Sequence, residues 1–252
     1  MKTIFQCLTP LLAFLFLSVS ATAAFDHSHG RLDKILKQHV VGKQVDYAGL
    51  KARPGPLNTY LNVLGEVSES EFKRWNRNQE LAFLINLYNA ATLKLVVDHY
   101  PVKSIKKIGG FKGPWKQSVV RAFGKTYTLD QVEHELIRGN YDEARIHFAV
   151  NCASVGCPHL RGEAFRGDRL DQQLDDQTRI FLADPSKNRI FAKKGQLELS
   201  PIFKWYEEDF VKQSGSVEKF IAPYVAEEHR AKLATGGHKI RHTKYDWSLN
   251  KK

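Results

Sequence analysis

The sequence predicts an α+β fold rich in helix, built as one domain with short antiparallel strands and hairpins. Three observations carry that prediction. Apolar residues recur at helical spacing along most of the chain, and one stretch, "NQELAFLINLYNAATLKLVVDHYP", is apolar almost all round. Strand signals come only as short runs around turn residues, and they do not alternate with helices. The 252 residues, 42% hydrophobic and 26% charged, suffice for one well-packed core.

The elements follow in order. "HSHGRLDKILKQHV" places Leu32, Ile35, Leu36 and Val40 on one face of a short amphipathic helix. His27 and His29, near its start, could bind a metal but are expected to be solvated. "VDYAGL" runs into the breaker "RPGP", and a short helix over 57–64 follows. Asn78 is the expected cap of the long apolar helix, and Pro101 stops it by disfavouring helical geometry at Tyr100. Asn86 and Asn89 interrupt its apolar surface, so each must find hydrogen-bond partners in a neighbouring loop or face a pocket.

"KIGGFKGPW" is a glycine-rich loop without the spacing that cradles nucleotide phosphates. A hairpin turning near Gly124 precedes a helix capped by Thr128 and Gln131, carrying His134 and ending at Gly139. "RIHFAV" alternates and reads as a buried strand leading into "NCASVGCPHL". An amphipathic helix, a hairpin turning at Lys194-Gly195, the aromatic helix "PIFKWYEEDF" and two further helices complete the chain.

The first residues have the pattern of a secretory leader. Lys2, the apolar run "LLAFLFLSVS" and the small residues "ATAA" predict cleavage near residue 24, leaving residues 25–252 as an exported domain, periplasmic or extracellular, with no membrane-spanning segment. The loss of Lys2 lowers the net charge of +11 to +10. Such a charge suits an anionic envelope component, and the scatter of the basic residues disfavours nucleic acid. Nothing in the motifs calls for a cofactor.

Cleavage would remove Cys7 and leave Cys152 and Cys157 as an even pair. In an oxidising compartment the default for such a pair is a disulfide. The competing reading makes Cys152, at a strand end beside small residues, a nucleophile whose oxyanion is met by backbone N–H groups of the loop. A thiol nucleophile needs a base and a group to orient it; His134, His147 and His159 are the candidate bases, and Asp130, Glu133 and Asn151 the candidate orienters. Counted along a strand, His147 and Cys152 fall on opposite faces, which favours His134. Metal ligation by His134, His147, Cys152 and Cys157 lacks a familiar zinc spacing.

"ELAFLINLYNA", "LDQVEHELIRG", "RIHFAVNCASVGCPHL", "LSPIFKWYEEDF" and "YDWSLN", in this order, make the chain resemble proteins carrying domain of unknown function 547, with motifs from about residue 45 to 250. The resemblance implies one domain and groups Asn86, Asn89, His134, His147, Asn151, Cys152, Cys157, Trp205, Tyr206, Asp209, Asp246 and Trp247 as polar and aromatic members of its motifs. Two functions are expected from these residues. One is a thiol-dependent hydrolase or acyltransferase, cysteine-peptidase-like in fold, acting on an amide or thioester of a small molecule or peptide. The other is a non-catalytic, basic envelope-binding module with a Cys152–Cys157 disulfide.

Overall fold

The computed structural model describes residues 24–193 and 195–252. The expected leader, apart from Ala24, and the turn residue Lys194 lie outside the described residues. The chain begins with α1 (Gly30–His39), a minimal hairpin of β1 (Val40–Val41) and β2 (Gln44–Val45), α2 (Tyr47–Ala52), α3 (Gly55–Glu66) and α4 (Glu69–Phe72). These wrap the central α5 (Arg77–His99). The hairpin β3 (Ser118–Ala122) and β4 (Lys125–Thr128) leads into α6 (Leu129–Gln131), which widens into a π-helix over Val132–Arg138. A 3₁₀ turn (Ala144–Phe148), the cysteine loop and α7 (Leu170–Leu182) come next. The remainder holds β5 (Arg189–Lys193), β6 (Gln196–Leu199), α8 (Ile202–Trp205), α9 (Glu207–Ser214), α10 (Val217–Ile221), α11 (Glu227–Thr235) and β7 (Lys239–His242). The hairpins are antiparallel as expected, but β7 returns to pair parallel with β6, Ile240 opposite Leu197.

Helix α5 explains the first half of the fold. Its residues are buried on every side, and its most apolar window, long enough to cross a membrane by composition, is 89% buried inside the protein. Its cap is Asn76 rather than Asn78: the Asn76 side chain accepts from the Gln79 amide at 3.0 Å, and the Gln79 side chain accepts from the Asn76 amide at 3.0 Å. That reciprocal box uses two otherwise unpaired donors of the first turn, which a cap at Asn78 would leave open.

The core falls into two clusters. One surrounds α5 with α1, α2, α3 and the β3–β4 hairpin. The other joins Phe148, Phe181, Phe203, Phe210 and Phe220 to Leu197 and Leu199 of the small sheet, with Phe210 and Phe220 ring centroids 4.7 Å apart. The stretch expected as the strand "RIHFAV" is instead the 3₁₀ turn, and the two clusters supply the reason. Ile146 packs in the first and Phe148 in the second. A strand would point these two residues to one side, whereas a helical turn sends them apart. The aromatic stretch after Pro201 is likewise broken, at Tyr206, into α8 and α9. His29 is also not solvated: it is 2% exposed, with Nδ1 2.7 Å from the Tyr60 hydroxyl.

Asn86 and Asn89 tie α5 to loops. Asn86 donates to the Phe165 carbonyl at 2.7 Å and accepts from the Phe165 amide at 3.0 Å. Asn89 donates to the Ala149 carbonyl at 3.0 Å and accepts from the Asn151 amide at 2.8 Å, so it anchors the cysteine loop directly. Leucine at position 89 would leave two buried backbone groups unpaired. The Asn89→Leu variant should therefore lose about 2–4 kcal/mol of stability, read as a lower urea midpoint with an unchanged slope.

Candidate active site at the seam of the two clusters

The cysteine loop is shaped by its own side chains. Asn151, buried, donates to the Pro158 carbonyl at 2.7 Å and accepts from the Ala153 amide at 2.9 Å. Its amide is thus spent on holding the loop and orients no histidine. Ala153, directly after Cys152, has φ +59, a left-handed conformation that is uncommon for a residue with a Cβ. Gly156 is not in that region. It is needed for space, because a Cβ there would lie 2.9 Å from the Asp246 nitrogen and from the Tyr245 ring. The C-terminal segment is laid against the loop by backbone bonds from Val155 to Ser248 at 2.9 Å and from Gly156 to Asp246 at 2.8 Å. This contact sets Tyr245 beside Cys152.

Cys152 and Cys157 are both free thiols, without the disulfide expected of an even pair in an oxidising compartment. Cys152 Sγ lies 3.0 Å from the Ser154 hydroxyl and 3.2 Å from the Tyr245 hydroxyl, and its amide donates to Cys157 Sγ at 3.0 Å. The Cys157 thiol, then the two hydroxyls and the Ser154 amide, favour the thiolate and pull Cys152 down to about 7 against the opposing effect of burial. Burial, reinforced by the neighbouring Cys152, pushes the Cys157 thiol well up. The contact between the two sulfurs therefore moves them in opposite directions, Cys152 down and Cys157 up.

The expected backbone oxyanion site is mostly used up. The amides of Ala153, Val155, Gly156 and Cys157 all donate within the loop or to the C-terminal segment, and that of Ser154 turns to the Cys152 sulfur.

A pocket of about 210 Å³ opens over Cys152. His134 and His147 both line it, while His159 does not. His147 is buried, its Nε2 lies 2.6 Å from Asp209 Oδ2, and its ring stacks on Tyr206 at 3.8 Å between centroids. Its Nδ1 is buried without a partner. Burial holds its pKa below the ordinary value, despite Asp209. The imidazole is therefore neutral, with the proton on Nε2 and the lone pair of Nδ1 free. The opposite-face argument against His147 fails with the strand on which it rested.

Asp209, one of the polar residues of the family motifs, is the carboxylate that meets His147. Arg138 grips it with two bonds, Nε to Oδ2 at 2.7 Å and Nη2 to Oδ1 at 2.9 Å. Burial pushes the carboxyl up, but the hydrogen bonds from His147 and Arg138 outweigh it and hold the group well below the usual carboxylate range. Arg138 also donates from Nη1 to His134 Nδ1 at 3.0 Å, leaving the proton of that ring on Nε2. One Arg–Asp pair thus fixes the same Nε2–H tautomer on two pocket histidines, Asp209 by accepting from His147 and Arg138 by donating to His134. His134 and Glu133 ride on the π-helix, an irregularity that often accompanies functional positions. Glu133 accepts from the Tyr206 hydroxyl at 2.7 Å and so steadies the ring beneath His147, not a histidine itself.

Trp205, Tyr206, Trp247 and Cys157 line the pocket as grouped from the motifs. Asp246 does not; its carboxylate caps the Ser248 amide at 2.8 Å. Asn86 and Asn89 lie behind it, bonded to backbone as described. The residues missed are Tyr245, Tyr88 and Trp115. Tyr245 and Tyr88 carry a usable signal, since they stand in the motifs "YDWSLN" and "ELAFLINLYNA"; Trp115 stands in none of them.

Neither a curated protein nor a solved structure matches the chain. One family does, described as a protein of unknown function, DUF547, over residues 72–182. The match runs from the end of α4 to the end of α7 and includes His134, His147 and Cys152, while Asp209 and Tyr245 lie beyond it. Through residues 72–182 the chain is similar to the DUF547 family.

Proposed function

We propose that the protein is a thiol-dependent hydrolase or acyltransferase working through Cys152, His147 and Asp209. One observation carries the reading. A cysteine whose thiolate is favoured shares a pocket with a neutral histidine whose far nitrogen is clamped by a carboxylate. These are the roles of nucleophile, base and orienter. Cys152 attacks the carbonyl carbon of an amide or thioester, and the carbonyl π pair moves onto oxygen. Attack starts from the thiol form, and the thiol proton passes to His147 Nδ1 as the sulfur–carbon bond forms. Tyr245 and the Nε2–H of His134 are the side-chain donors available to that oxyanion. Collapse breaks the bond to the leaving group, which takes its proton from His147. Water, or an acceptor amine or alcohol, then attacks the Cys152 thioester while His147 receives its proton.

The aromatic lining by Trp115, Trp205, Tyr245 and Trp247 favours an acyl or peptide segment with a flat or apolar face. The test is intact-mass spectrometry after exposure to an activated acyl ester or an acyl thioester. A single acyl adduct on Cys152 is expected, absent in Cys152→Ala and at least 100-fold slower to form or turn over in His147→Ala. If wild type and His147→Ala acylate alike, the base assignment is wrong; if no adduct forms on folded wild type with either donor, the nucleophile assignment is wrong.

A further inference from the structure

Phe111 is fully exposed, whereas no other exposed large apolar side chain among the described residues exceeds the 48% of Trp205. It sits at the tip of a turn that holds it outward. Gly109 has φ +83, and a Cβ there would come within 2.5 Å of the Gly113 carbonyl oxygen. The Gln117 side chain closes the same turn by donating to that carbonyl at 2.9 Å. The ring is therefore presented on a braced loop.

The charges of the loop itself are all cationic, and Asp246 is the carboxylate that shares a surface depression with Lys103. Lys103, Lys106, Lys107, Lys112 and Lys116 are all exposed, and the sequence has no Asp or Glu from His99 to Leu129. A fully exposed aromatic ring within a set of lysines combines the two forces that hold a protein at a bilayer interface. The ring enters the boundary of headgroup and acyl chain, and the lysines meet anionic headgroups. Nucleic acid would satisfy the lysines, but it calls for a platform of exposed rings along a groove; Trp115 and Trp247 pack on each other in the pocket lining, and Phe111 is the one fully exposed ring of the loop.

We propose that the loop over residues 103–116 docks the protein on an anionic lipid surface, with Phe111 inserted and the lysines at the headgroups. The loop also borders the candidate active site: Lys106 Nζ stands 4.8 Å over the Trp247 ring, and Trp115 lines the pocket. Docking by this loop would bring the pocket mouth beside the headgroup layer. The proposal does not depend on the chemistry assigned to Cys152.

Vesicle sedimentation of the full chain tests it, comparing phosphatidylcholine with phosphatidylcholine containing phosphatidylglycerol. Binding is expected only with the anionic lipid, weakening as salt rises. Phe111→Ser should weaken it about tenfold and the double change Lys107→Glu with Lys112→Glu by at least as much, with circular dichroism unchanged. In Phe111→Trp, brominated acyl chains should quench emission beyond the wild-type level. Equal binding of all variants overturns the proposal. So does loss with the lysine changes but indifference to Phe111→Ser and no added quenching, or binding to single-stranded DNA without binding to vesicles.

Discussion

Alkylation of Cys152 by iodoacetamide is expected to titrate with a midpoint near pH 7, while Cys157 in the same folded protein stays unlabelled. The Cys157 thiol and the Ser154 and Tyr245 hydroxyls stabilise the Cys152 anion, whereas burial keeps Cys157 protonated. Because the Cys152 value is lowered, its thiolate predominates above pH 7 and is withdrawn as pH falls through that value. At pH 6 the rate should be about a tenth of its plateau. At pH 7 it should exceed that of an ordinary thiol by about five- to tenfold, since part of the gain in thiolate is offset by lower intrinsic nucleophilicity. Cys157→Ala should raise the midpoint most, with smaller rises in Ser154→Ala and Tyr245→Phe. A midpoint near 9, or equal labelling of both cysteines, would remove the case for an activated nucleophile.

Asp209 is the position where substitution should affect activity and folding together. Asp209→Asn keeps the volume but can present its amide to His147, so the proton is no longer held on Nε2. By analogy with other nucleophile–histidine–carboxylate sites, acyl turnover should fall by up to about 10⁴-fold with little loss of fold. Asp209→Ala removes the partner of both Arg138 and the buried His147, and should cost about 3 kcal/mol. The pH dependence of stability has a definite sign. A carboxyl held below its ordinary value contributes stability above about pH 4, and that contribution is lost as pH falls towards the folded value. His147, whose folded value is also lowered, binds its proton more readily when unfolded, so it weakens the fold from about pH 6.5 downward. Wild type should lose stability in both ranges on acidification. In Asp209→Ala the loss below pH 4 should be reduced. Urea melts across this range read both effects, and an unchanged acid limb in Asp209→Ala would contradict the clamp.

Much of the fold can be read locally, because its signals lie within a few residues of one another. The all-round apolar pattern of α5 identifies a central helix, and the Thr128–Gln131 box and the turn at Gly124 set the elements leading to His134. The thiol at Cys152 and the set of candidate histidines were legible in the same way. Asn76 was not, because Asn78 offers a cap of equal chemistry and only the reciprocal bond with Gln79 distinguishes the two.

The sequence by itself therefore determined the helix-rich α+β class and the long core helix, and it singled out the cysteine loop as a candidate site. Tertiary structure alone decided which groups meet there. His147 finds Asp209 across 62 positions, and Cys152 finds Tyr245 across 93. No local period encodes either meeting. The choice between strand and turn at residues 144–148 was equally nonlocal. Alternating apolar residues suit both, and the turn forms because Ile146 and Phe148 are drawn into different clusters. That one turn brings His147 to the Cys152 pocket, with Asp209 behind it.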